Sequence, residues 1–442
     1  MTAKLKTLTL GCKVNQYETE LVREGLARIG FQDAGGDETA DLCLVNTCTV
    51  THEGDAKSRQ AIRRLARENP DARIVVMGCY ATRAPDELAK LPGVAEVLTD
   101  KREIPDLLMR FGVVDLPNGI SRFSGHHRAF LKVQDGCLLR CSYCIIPYVR
   151  PHVASREPAH IEAEVLRLLD RGYREFVLTG IHLGHYGVEQ NRGRPKDQWL
   201  RLSHLVRRLA ELPGNFRLRL SSIEATETTR ELIAVMAEFP RKVAPHLHVC
   251  LQSGSDAVLR RMRRRWSSRM FLGRCDLVRE SLDLPALTTD VIVGFPGETD
   301  ADFEATLRVC REAGFSKIHI FPFSPRKGTP AAEMPDQIPP GLKAERVQRL
   351  TELAEELRQA YARQLIGRRL SLLVEGVTAD AVPHWAGTSC RYSLVEIAGR
   401  FAGRSGDLVS VQADDVQEGR VIGHVLGTRV RRTDFNPFHE TE

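Results

Sequence analysis

Short apolar segments alternate with amphipathic helical segments along most of the 442 residues, and this alternation restricts the possible folds more than any other feature. In the first part of the chain, strand-type runs at 7–10, 42–45, 73–77 and 94–98 are separated by helix-type patterns at 16–29, 56–67 and 85–91. Strands separated by helices usually pair in parallel. We therefore predict an open parallel α/β domain over residues 1–116.

A longer series of strands and helices follows a linker near 117–124. Strands are predicted at 129–133, 175–179, 217–221, 246–251, 289–293 and 317–321, and helices at 159–169, 200–212, 230–238, 269–282 and 301–313. Five or six such units are typical of a complete or partial TIM-type barrel. We place this barrel at 123–365, and a long amphipathic helix at 342–365 ends it.

The remainder of the chain has the pattern of a small β-barrel. Short β-rich runs at 370–374, 392–397, 408–411 and 421–427 are punctuated by glycine and aspartate. The predicted module covers 366–432, and the tail at 433–442 is expected to be loose.

Composition and charge limit the possible surroundings and partners. Hydrophobic residues make up 42% of the chain and the formal net charge is +6, which permits a nucleic-acid partner. No apolar run approaches the roughly 18–20 residues of a membrane span, and the apolar stretch at 1–10 is too short for a signal peptide. We therefore expect a cytoplasmic protein with no membrane partner. Its eleven cysteines, an odd number, are then unlike a disulfide framework.

Three cysteines stand close together in the segment QDGCLLRCSYCIIP, at Cys137, Cys141 and Cys144. Three thiolates in one loop can hold a [4Fe–4S] cluster and leave its fourth iron open. That iron can bind S-adenosylmethionine (SAM), and one electron then cleaves the sulfonium to give a 5′-deoxyadenosyl radical. A zinc site needs a fourth ligand, which His126 or His127 could supply. The spacing favours the iron–sulfur cluster over zinc and over buried structural thiols.

Three further cysteines each follow a predicted strand of the N-terminal domain. Cys12, Cys48 and Cys79 stand after the first, second and third strands. Ligands of open α/β sheets gather at the carboxyl ends of strands, so these thiols could converge. The alternative is three separate buried thiols. Core or spectator positions are expected for the cysteines without such spacing: Cys43, Cys250, Cys275, Cys310 and Cys390.

Several motifs, in order along the chain, resemble the methylthiotransferase family of radical-SAM enzymes. They are GCKVNQYE at 11–18, NTCTVT at 46–51, GCYA at 78–81, the central cysteine loop, LTGIHLGHYG at 178–187, RLSSIE at 219–224, HLHVCLQSGS at 246–255, DVIVGFPGET at 290–299 and FPFSPRKGTPA at 321–331. The resemblance implies a second [4Fe–4S] cluster on Cys12, Cys48 and Cys79, which carries the sulfur to be inserted. It also implies that the N-terminal domain lies over the carboxyl-end mouth of the barrel.

The segment at 12–18 favours one branch of the family. Its sequence CKVNQYE resembles the branch that adds a methylthio group to carbon 2 of threonylcarbamoyl-adenosine, 3′ of the tRNA anticodon. The alternatives are isopentenyl-adenosine in tRNA and an aspartate of a ribosomal protein. An RNA-binding protein with structural clusters is an alternative from another class. The implied partners are a tRNA anticodon stem-loop, an electron donor such as flavodoxin or ferredoxin, and a sulfur source.

The C-terminal module resembles a TRAM domain, which grips tRNA in relatives, and Arg429, Arg431 and Arg432 could add phosphate contacts. A basic run at 260–266 could follow phosphates or form a solvated face.

Arg150 and Arg156 could position the SAM carboxylate or substrate. Asn15 and Gln16 could orient the second cluster or the substrate, and helix capping is the simpler role for Asn15. Candidates for the SAM pocket, each alternatively a turn residue or a packing residue, are Tyr143, Gly180, Ser222, Glu224, Gln252 and Ser253.

Overall fold

The computed structural model describes residues 3–36, 38–379 and 383–426. Its first sheet has five parallel strands in the order β2-β1-β3-β4-β5. The elements of this region are β1 (Lys4–Thr9), α1 (Lys13–Arg28), β2 (Gln32–Asp33), β3 (Leu42–Thr47), α2 (His52–Glu68), β4 (Arg73–Gly78), α3 (Cys79–Arg83), α4 (Pro85–Ala89), β5 (Val94–Val97) and α5 (Ile104–Arg110). The predicted open parallel α/β architecture is confirmed.

Burial on both faces explains the near-continuous apolar pattern of the central strands. All six residues of β3 are buried, as expected for a parallel strand covered by helices on each side. Leu44 and Leu5 pack against α1 and α5 on one face. Val45 packs on the other face with Ile62 of α2.

Seven parallel strands then follow in chain order and form a partial barrel. They lie in two four-stranded sheets, β7-β6-β8-β9 and β10-β11-β12-β13. The chain passes from one sheet to the other at Ser221, and β7 is a short antiparallel addition to β6. The strands are β6 (Ala129–Asp135), β7 (Ala154–Ser155), β8 (Glu175–Gly180), β9 (Arg217–Leu220), β10 (Ser222–Ile223), β11 (His246–Val249), β12 (Ala286–Val293) and β13 (Lys317–Pro322).

Eight helices accompany these strands, and most of them cover the outside of the barrel. They are α6 (Ile146–Val149), α7 (Pro158–Asp170), α8 (Leu202–Glu211), α9 (Arg230–Glu238), α10 (Asp256–Arg261), α11 (Ser268–Ser281), α12 (Asp300–Ala313) and α13 (Pro340–Gln364). Local signals set several helix starts. Thr299 caps α12, accepting a hydrogen bond from the Asp302 amide while the Asp302 carboxylate accepts from the Thr299 amide. The predicted TIM-type architecture is confirmed in its partial form.

Alternate residues of each barrel strand face opposite sides. Leu131, Phe176 and Leu247 belong to the apolar core. The other face carries polar residues, among them the buried Glu175 and Arg217, whose Nε donates to Glu175 at 2.6 Å. The interior of the barrel is therefore polar, while the apolar residues pack under the helices.

The C-terminal part forms a closed five-stranded barrel in the order β14-β15-β16-β18-β17. Its strands are β14 (Arg369–Val377), β15 (Trp385–Ser389), β16 (Leu394–Ile397), β17 (Leu408–Gln417) and β18 (Arg420–Val425). The predicted small β-barrel is confirmed. Strand β15 was missed because Gly387 and Thr388 interrupt its apolar pattern.

By their contacts the residues form two units, Met1–Tyr361 and Ala362–Glu442. The division of the first unit into domains at 1–116 and 123–365, and the third domain at 366–432, stay predictions. Arg429, Arg431, Arg432 and the tail at 433–442 lie outside the described residues. Within the described ranges, every helix is too short or too polar to cross a membrane.

Candidate iron–sulfur site

The central cysteine loop leaves the carboxyl end of β6 and is held by main-chain hydrogen bonds. The amide of Cys137 donates to the carbonyl of Arg150 at 3.3 Å, and the amide of Cys144 donates to that of Cys141 at 3.1 Å. Between them, the amide of Ser142 donates to the carbonyl of Met262 at 3.1 Å. Hydrogen bonds within the loop and to the segment after α10 thus fix the conformation of the loop that carries all three cysteines.

Hydrogen-bond donors point at two of the central sulfurs. Arg264 Nη1 lies 3.1 Å from Cys141 Sγ, and His182 Nδ1 lies 3.4 Å from Cys137 Sγ. The amide of Leu139 donates to Cys137 Sγ at 3.4 Å. Donors directed at sulfur stabilise the thiolate, which is the form that binds metal.

Two thiols of this loop, those of Cys141 and Cys144, resist ionisation because burial raises the pKa of each. Burial, assisted by the neighbouring Cys141 and Cys137, raises the pKa of Cys144 to about 12. Three mutually repelling thiolates in a buried loop need a cation among them, and a metal centre supplies that charge. The donor set, three sulfurs with hydrogen-bond donors outside them, fits a [4Fe–4S] cluster.

The N-terminal cysteines stand at the carboxyl ends of the adjacent strands β1, β3 and β4. Cys12 is the N-cap residue of α1, and Cys79 is the first residue of α3. A Cβ atom at Gly11 would lie 3.1 Å from Cys48 Sγ. Cys12 Sγ is 3.8 Å from Asn15 Oδ1, which accepts from Arg150 Nη2 at 2.9 Å. These contacts bring the surroundings of the three thiols together, as the strand ends predict.

Two of these cysteines follow a glycine with a left-handed backbone. Gly11 and Gly78 both have φ of +101°. A Cβ at Gly78 would lie 2.4 Å from both Asn46 Oδ1 and the Thr47 carbonyl oxygen. Only glycine fits such a turn, which directs the following cysteine from the end of its strand.

Arg150 connects the two cysteine sets. Its Nε lies 3.3 Å from Cys79 Sγ, while its carbonyl accepts from the Cys137 amide. The buried guanidinium is neutralised by Glu18 at 2.8 Å and Asp135 at 2.9 Å. Burial would raise the pKa of Glu18, but Arg150 and Lys132 outweigh it and lower that pKa. Both carboxylates therefore remain charged and hold the guanidinium in place.

A second arginine ties the Cys48 region to the barrel. Arg326 follows β13, and its buried side chain pairs with Asp55 of α2 at 2.5 Å and contacts Thr49. Arg83 donates to the same Asp55 at 2.7 Å. Elements near Cys48 and Cys79 thus contact the carboxyl-end loops of β13 and β6, as expected if the N-terminal domain lies over that end of the barrel.

Two parts of the chain match known protein families. Residues 4–100 match the family described as "Uncharacterized protein family UPF0004", and residues 131–310 match the Radical SAM superfamily. The first contains Cys12, Cys48 and Cys79, and the second contains the central loop.

Curated relatives extend over both regions. The threonylcarbamoyladenosine tRNA methylthiotransferase MtaB of Bacillus subtilis (strain 168) is 41% identical, and the match covers 83% of this chain and 84% of that protein. This chain belongs to the radical-SAM methylthiotransferase family. The MtaB protein of Chlamydia pneumoniae is 38% identical, with 95% and 98% covered. The tRNA-2-methylthio-N(6)-dimethylallyladenosine synthase of Corynebacterium urealyticum is 36% identical, with 95% and 82% covered.

The methylthiotransferase also has a known fold. The radical SAM methyltransferase TsrM of Kitasatospora setae, solved with tryptophan and a SAM analogue, superposes with a TM-score of 0.54 at 14% identity. The match covers 86% of this chain and 79% of that one. The predicted fold class and the family resemblance are both confirmed.

Arg264 gathers part of the predicted SAM pocket. It pairs with Glu224, and its Nη1 lies 3.3 Å from the Tyr143 hydroxyl as well as close to Cys141. The Tyr143 ring packs edge-on to Phe295, with centroids 6.5 Å apart. Two of the six candidates thus lie beside a central cysteine through one arginine.

The other candidates lie at strand ends, in different settings. Gly180 ends β8 against Gln134, and Ser222 is exposed in β10. Gln252 has φ of +67°, and its main chain bonds to β12. Ser253 is fully buried, and its hydroxyl lies 3.2 Å from Thr306 Oγ1. That hydroxyl therefore hydrogen-bonds to helix α12. The SAM-binding role of all six stays a prediction.

Two arginines have roles other than those the sequence suggested. Arg150 is enclosed as described above, and Arg156 pairs with Glu164 at 2.6 Å while its guanidinium lies 5.5 Å from the Tyr17 ring centroid. Both side chains hold α1 against the barrel, because their charges are matched by buried carboxylates. The expectation that they position SAM or substrate is not supported by this geometry.

Asn15 is not a helix cap. It lies inside α1, and its Nδ2 donates to the carbonyls of Leu10 at 2.9 Å and Thr47 at 3.1 Å. The cap position is Cys12, one turn earlier. Asn15 therefore joins the ends of β1 and β3 beside the cysteines.

The basic run at 260–266 is not one helix. Helix α10 ends at Arg261, and Arg263 has φ of +59°. This break turns Arg264 inward, where its guanidinium lies 4.0 Å from the Trp266 ring centroid. Neither predicted role, phosphate tracking or a solvated face, holds for Arg264. An arginine beside Met262 and Trp266, both apolar, was the signal that could have identified it.

His182 was also missed as an individual residue, although its motif was noted. Burial would lower its pKa, but hydrogen bonds with Cys137 and Glu227 raise it to about 9. The His185 ring stacks on it at 3.6 Å, and burial together with this charge lowers the pKa of His185 to about 4. The sequence did offer a signal for His182: it stands just beyond the predicted end of a strand, within a motif whose polar residues are not explained by core packing.

Proposed function

We propose that this enzyme is a tRNA methylthiotransferase that inserts a methylthio group at carbon 2 of threonylcarbamoyl-adenosine, 3′ of the anticodon. The observation that carries the proposal is the position of Arg150, which contacts Cys79 through its side chain and the Cys137 loop through its main chain. Two sulfur sets held so near one another suit a reaction that joins a radical site to a sulfur atom. The names of the MtaB relatives support this substrate.

We assign a [4Fe–4S] cluster that binds SAM to Cys137, Cys141 and Cys144, and a second [4Fe–4S] cluster to Cys12, Cys48 and Cys79. When bound, these groups supply the SAM-derived radical and the sulfur to be transferred. The protein's own residues orient the thiolates: Arg264 donates to Cys141, His182 to Cys137 and Arg150 to Cys79.

The target adenosine stands in a single-stranded loop, so it can be splayed into the site without opening a duplex. We assign the grip on the anticodon stem to the C-terminal β-barrel, which resembles a TRAM domain. We further propose a cytoplasmic location, a flavodoxin or ferredoxin as electron donor, and a separate sulfur source.

A second candidate is the isopentenyl-type reaction, favoured by relatives named for dimethylallyladenosine at 36% identity. It differs only in the group on N6 of the same adenosine. The ribosomal-protein reaction and the structural-cluster alternative have no comparable support among the named relatives.

The test is nucleoside mass spectrometry on tRNA that carries either threonylcarbamoyl- or isopentenyl-adenosine. The anaerobically reconstituted enzyme is supplied with SAM, sulfide and dithionite. We expect a methylthio mass gain on the threonylcarbamoyl nucleoside alone. A gain on the isopentenyl nucleoside alone would transfer the assignment to the second candidate, and SAM cleavage with no gain on either would favour a protein substrate.

Two cysteine variants separate the assigned clusters. Cys141→Ala should abolish SAM cleavage, because the central loop would lose one of three thiolates. Cys48→Ala should leave SAM cleavage intact and abolish methylthio transfer. Cys275→Ala, a buried thiol of α11 far in sequence from both sets, is the matched control. SAM cleavage retained by Cys141→Ala would contradict the central assignment.

A further inference from the structure

The segment between β8 and α8 forms a structured loop at the carboxyl end of the barrel. Its two ends are joined by side-chain hydrogen bonds: the Leu200 amide donates to Asn191 Oδ1 at 2.7 Å, and Asn191 Nδ2 donates to the Leu200 carbonyl at 2.8 Å. Gly187 has φ of +85°, and a Cβ there would lie 2.3 Å from the same carbonyl oxygen. The loop is therefore closed by its own hydrogen bonds and by close backbone packing.

A cavity of about 500 Å³ lies between this loop and the first turns of α8 and α9. A volume of this size is typical of ligand sites in proteins. Trp199 and Leu200 of the loop line the cavity and are partly exposed. The buried Leu202 of α8 and Leu232 of α9 line it from the other side. An apolar cavity with an accessible indole suits a planar aromatic ligand.

Basic side chains surround this cavity. Residues 186–201 carry four basic and two acidic side chains. Arg192 and Arg194 line the cavity and are exposed, and neither has a carboxylate partner among the residues that the structure describes. Arg201 also lines the cavity and pairs with Glu231 at 3.0 Å. Guanidinium groups beside an apolar cavity suit a ligand that joins an aromatic part to phosphates, which is the chemistry of a nucleotide.

The indole of Trp199 is already oriented for stacking. Its Nε1 donates to the Arg194 carbonyl at 2.9 Å, and the Arg201 guanidinium lies 5.8 Å from its ring centroid. A ring that is held before the ligand arrives loses little conformational entropy when a base stacks on it. The Asn191 amide is engaged within the loop, so stacking rather than base-specific hydrogen bonding would dominate here.

The cavity is adjacent to the central cysteine loop. Glu227 lines the cavity, and its Oε1 lies 3.2 Å from His182 Nε2. His182 Nδ1 in turn lies 3.4 Å from Cys137 Sγ. One carboxylate and one imidazole thus separate the cavity from a sulfur of the central set. An RNA strand whose target base reaches the reaction site would bring the next nucleotide near this cavity, because the two nucleotides are covalently joined.

We propose that the cavity between the 186–201 loop and helices α8 and α9 binds a tRNA base that flanks the target adenosine. This base stacks on Trp199, while Arg192 and Arg194 contact the adjoining phosphates. The inference rests on the proposed function and deepens it by naming where a second nucleotide binds. A flanking base held in this way fixes the position of the target nucleotide without reading sequence, since every base can stack.

The experiment measures binding of anticodon stem-loop RNAs to the reconstituted holoenzyme by fluorescence anisotropy. The target position carries threonylcarbamoyl-adenosine or plain adenosine, and each RNA is intact or abasic at one of the two flanking positions. Val188→Phe places a ring in the cavity, which Val188 lines. We expect this variant to bind the intact RNAs about tenfold more weakly, because one stacked base is displaced. Removal of one flanking base should weaken binding of the wild type about as much and affect the variant little.

A pair of substitutions, Arg192→Ala with Arg194→Ala, tests the phosphate contacts. The slope of log Kd against log salt concentration should fall by about 1.4, since each phosphate contact on a single strand contributes about 0.7. Arg171→Ala with Arg241→Ala removes two exposed arginines at the amino end of the barrel and should keep the wild-type slope. Val114→Phe, at a position that is 95% exposed, is the matched control for Val188→Phe and should bind as wild type.

Iron content and RNA-free SAM cleavage are measured on every variant to show that the fold is retained. Intact RNA bound by Val188→Phe as tightly as by the wild type, or an unchanged salt slope in the arginine pair, would overturn the inference. A loss confined to the threonylcarbamoyl RNA would place the N6 substituent in the cavity instead of a flanking base, and would also overturn it. A wild-type enzyme that binds none of the stem-loops would contradict the proposed tRNA substrate, and this inference with it.

Discussion

At the scale of single residues, three side chains donate to sulfurs of the two cysteine sets, and each of the three is itself held by a carboxylate. Arg264 pairs with Glu224, His182 lies 3.2 Å from Glu227, and Arg150 is enclosed by Glu18 and Asp135. A charged partner behind a donor fixes its direction and keeps it protonated. The same arrangement at both cysteine sets indicates that the direction of these donors matters for the sulfurs.

The donor at Cys141 gives a first prediction. Arg264→Met removes an N–H donor and a positive charge from that sulfur, so the central cluster should have a more negative reduction potential. An anaerobic redox titration followed by electron paramagnetic resonance measures this. Arg260→Met, an exposed neighbour on α10, is the control and should leave the potential unchanged. An unchanged potential in Arg264→Met would show that the contact does not tune the cluster.

Glu175 gives a second residue-scale prediction, far from the cysteines. Burial opposes its ionisation, but Arg217, Arg219 and Arg128 outweigh it and lower its pKa to about 2. The unfolded pKa is about 4.3, so this carboxylate stabilises the fold above that pH and its contribution is lost as pH falls toward 2.

Glu175→Gln leaves buried arginines unmatched and should lower the free energy of unfolding by about 3 kcal/mol at pH 7. Urea denaturation at a series of pH values measures the difference from wild type, which should shrink below about pH 4. Glu162→Gln, which breaks an exposed pair with Arg208, should cost well under 1 kcal/mol. A difference for Glu175→Gln that does not change with pH would contradict the assigned pKa.

At the scale of elements, the strand-to-helix turns place the chemistry. Cys12 and Cys79 begin helices directly after strands, and each turn is made by a glycine at φ of +101°. Since β1, β3 and β4 are adjacent and parallel, their ends meet at one edge of the sheet. Three cysteines distant in sequence are brought together by strand order alone.

Gly78→Ala tests this geometry. The added Cβ would lie 2.4 Å from Asn46 Oδ1 and from the Thr47 carbonyl, so the turn must move and Cys79 with it. We expect the variant to bind about half the iron and sulfide of the wild type, since only the central cluster would assemble. Gly273→Ala in α11, where a Cβ has open space, should bind as much as wild type. Full iron content in Gly78→Ala would argue against Cys79 as a ligand.

At the scale of the whole molecule, buried ion pairs join the N-terminal sheet to the barrel at its carboxyl end. Arg150 with Glu18 and Arg326 with Asp55 are both nearly inaccessible to solvent. Such pairs contribute more to a defined arrangement than to net stability. We expect them to hold the separation between the two cysteine sets, on which the joining of sulfur and carbon depends.

Arg326→Met should loosen that separation without removing a thiolate. We expect both clusters to assemble and SAM cleavage to continue, with methylthio product per SAM cleaved reduced about tenfold or more. Product and 5′-deoxyadenosine are quantified together by mass spectrometry. Arg349→Met, which breaks an exposed pair with Glu304, is the control and should keep the wild-type ratio. A normal ratio in Arg326→Met would mean that this pair does not set the geometry.

The sequence alone predicted the order of elements, the α/β class, the partial barrel and the terminal β-barrel. It also predicted the family and the six cysteines proposed as ligands. These features depend on local periodicity and on short spacings between residues, and both can be read directly from the sequence. The barrel strand ends lay within a few residues of their predicted positions, and β15 was missed where its apolar pattern fails.

Only the tertiary structure decided which side chains surround the sulfurs. Arg150 lies 132 positions from Glu18, and Arg264 lies 123 from Cys141. A buried charge is stable only beside a partner of opposite charge. When the two residues are far apart in the sequence, no local sequence pattern identifies the partner, because only folding brings them together. The sequence therefore predicted which thiols could bind metal, while the fold decided which charges and donors serve them.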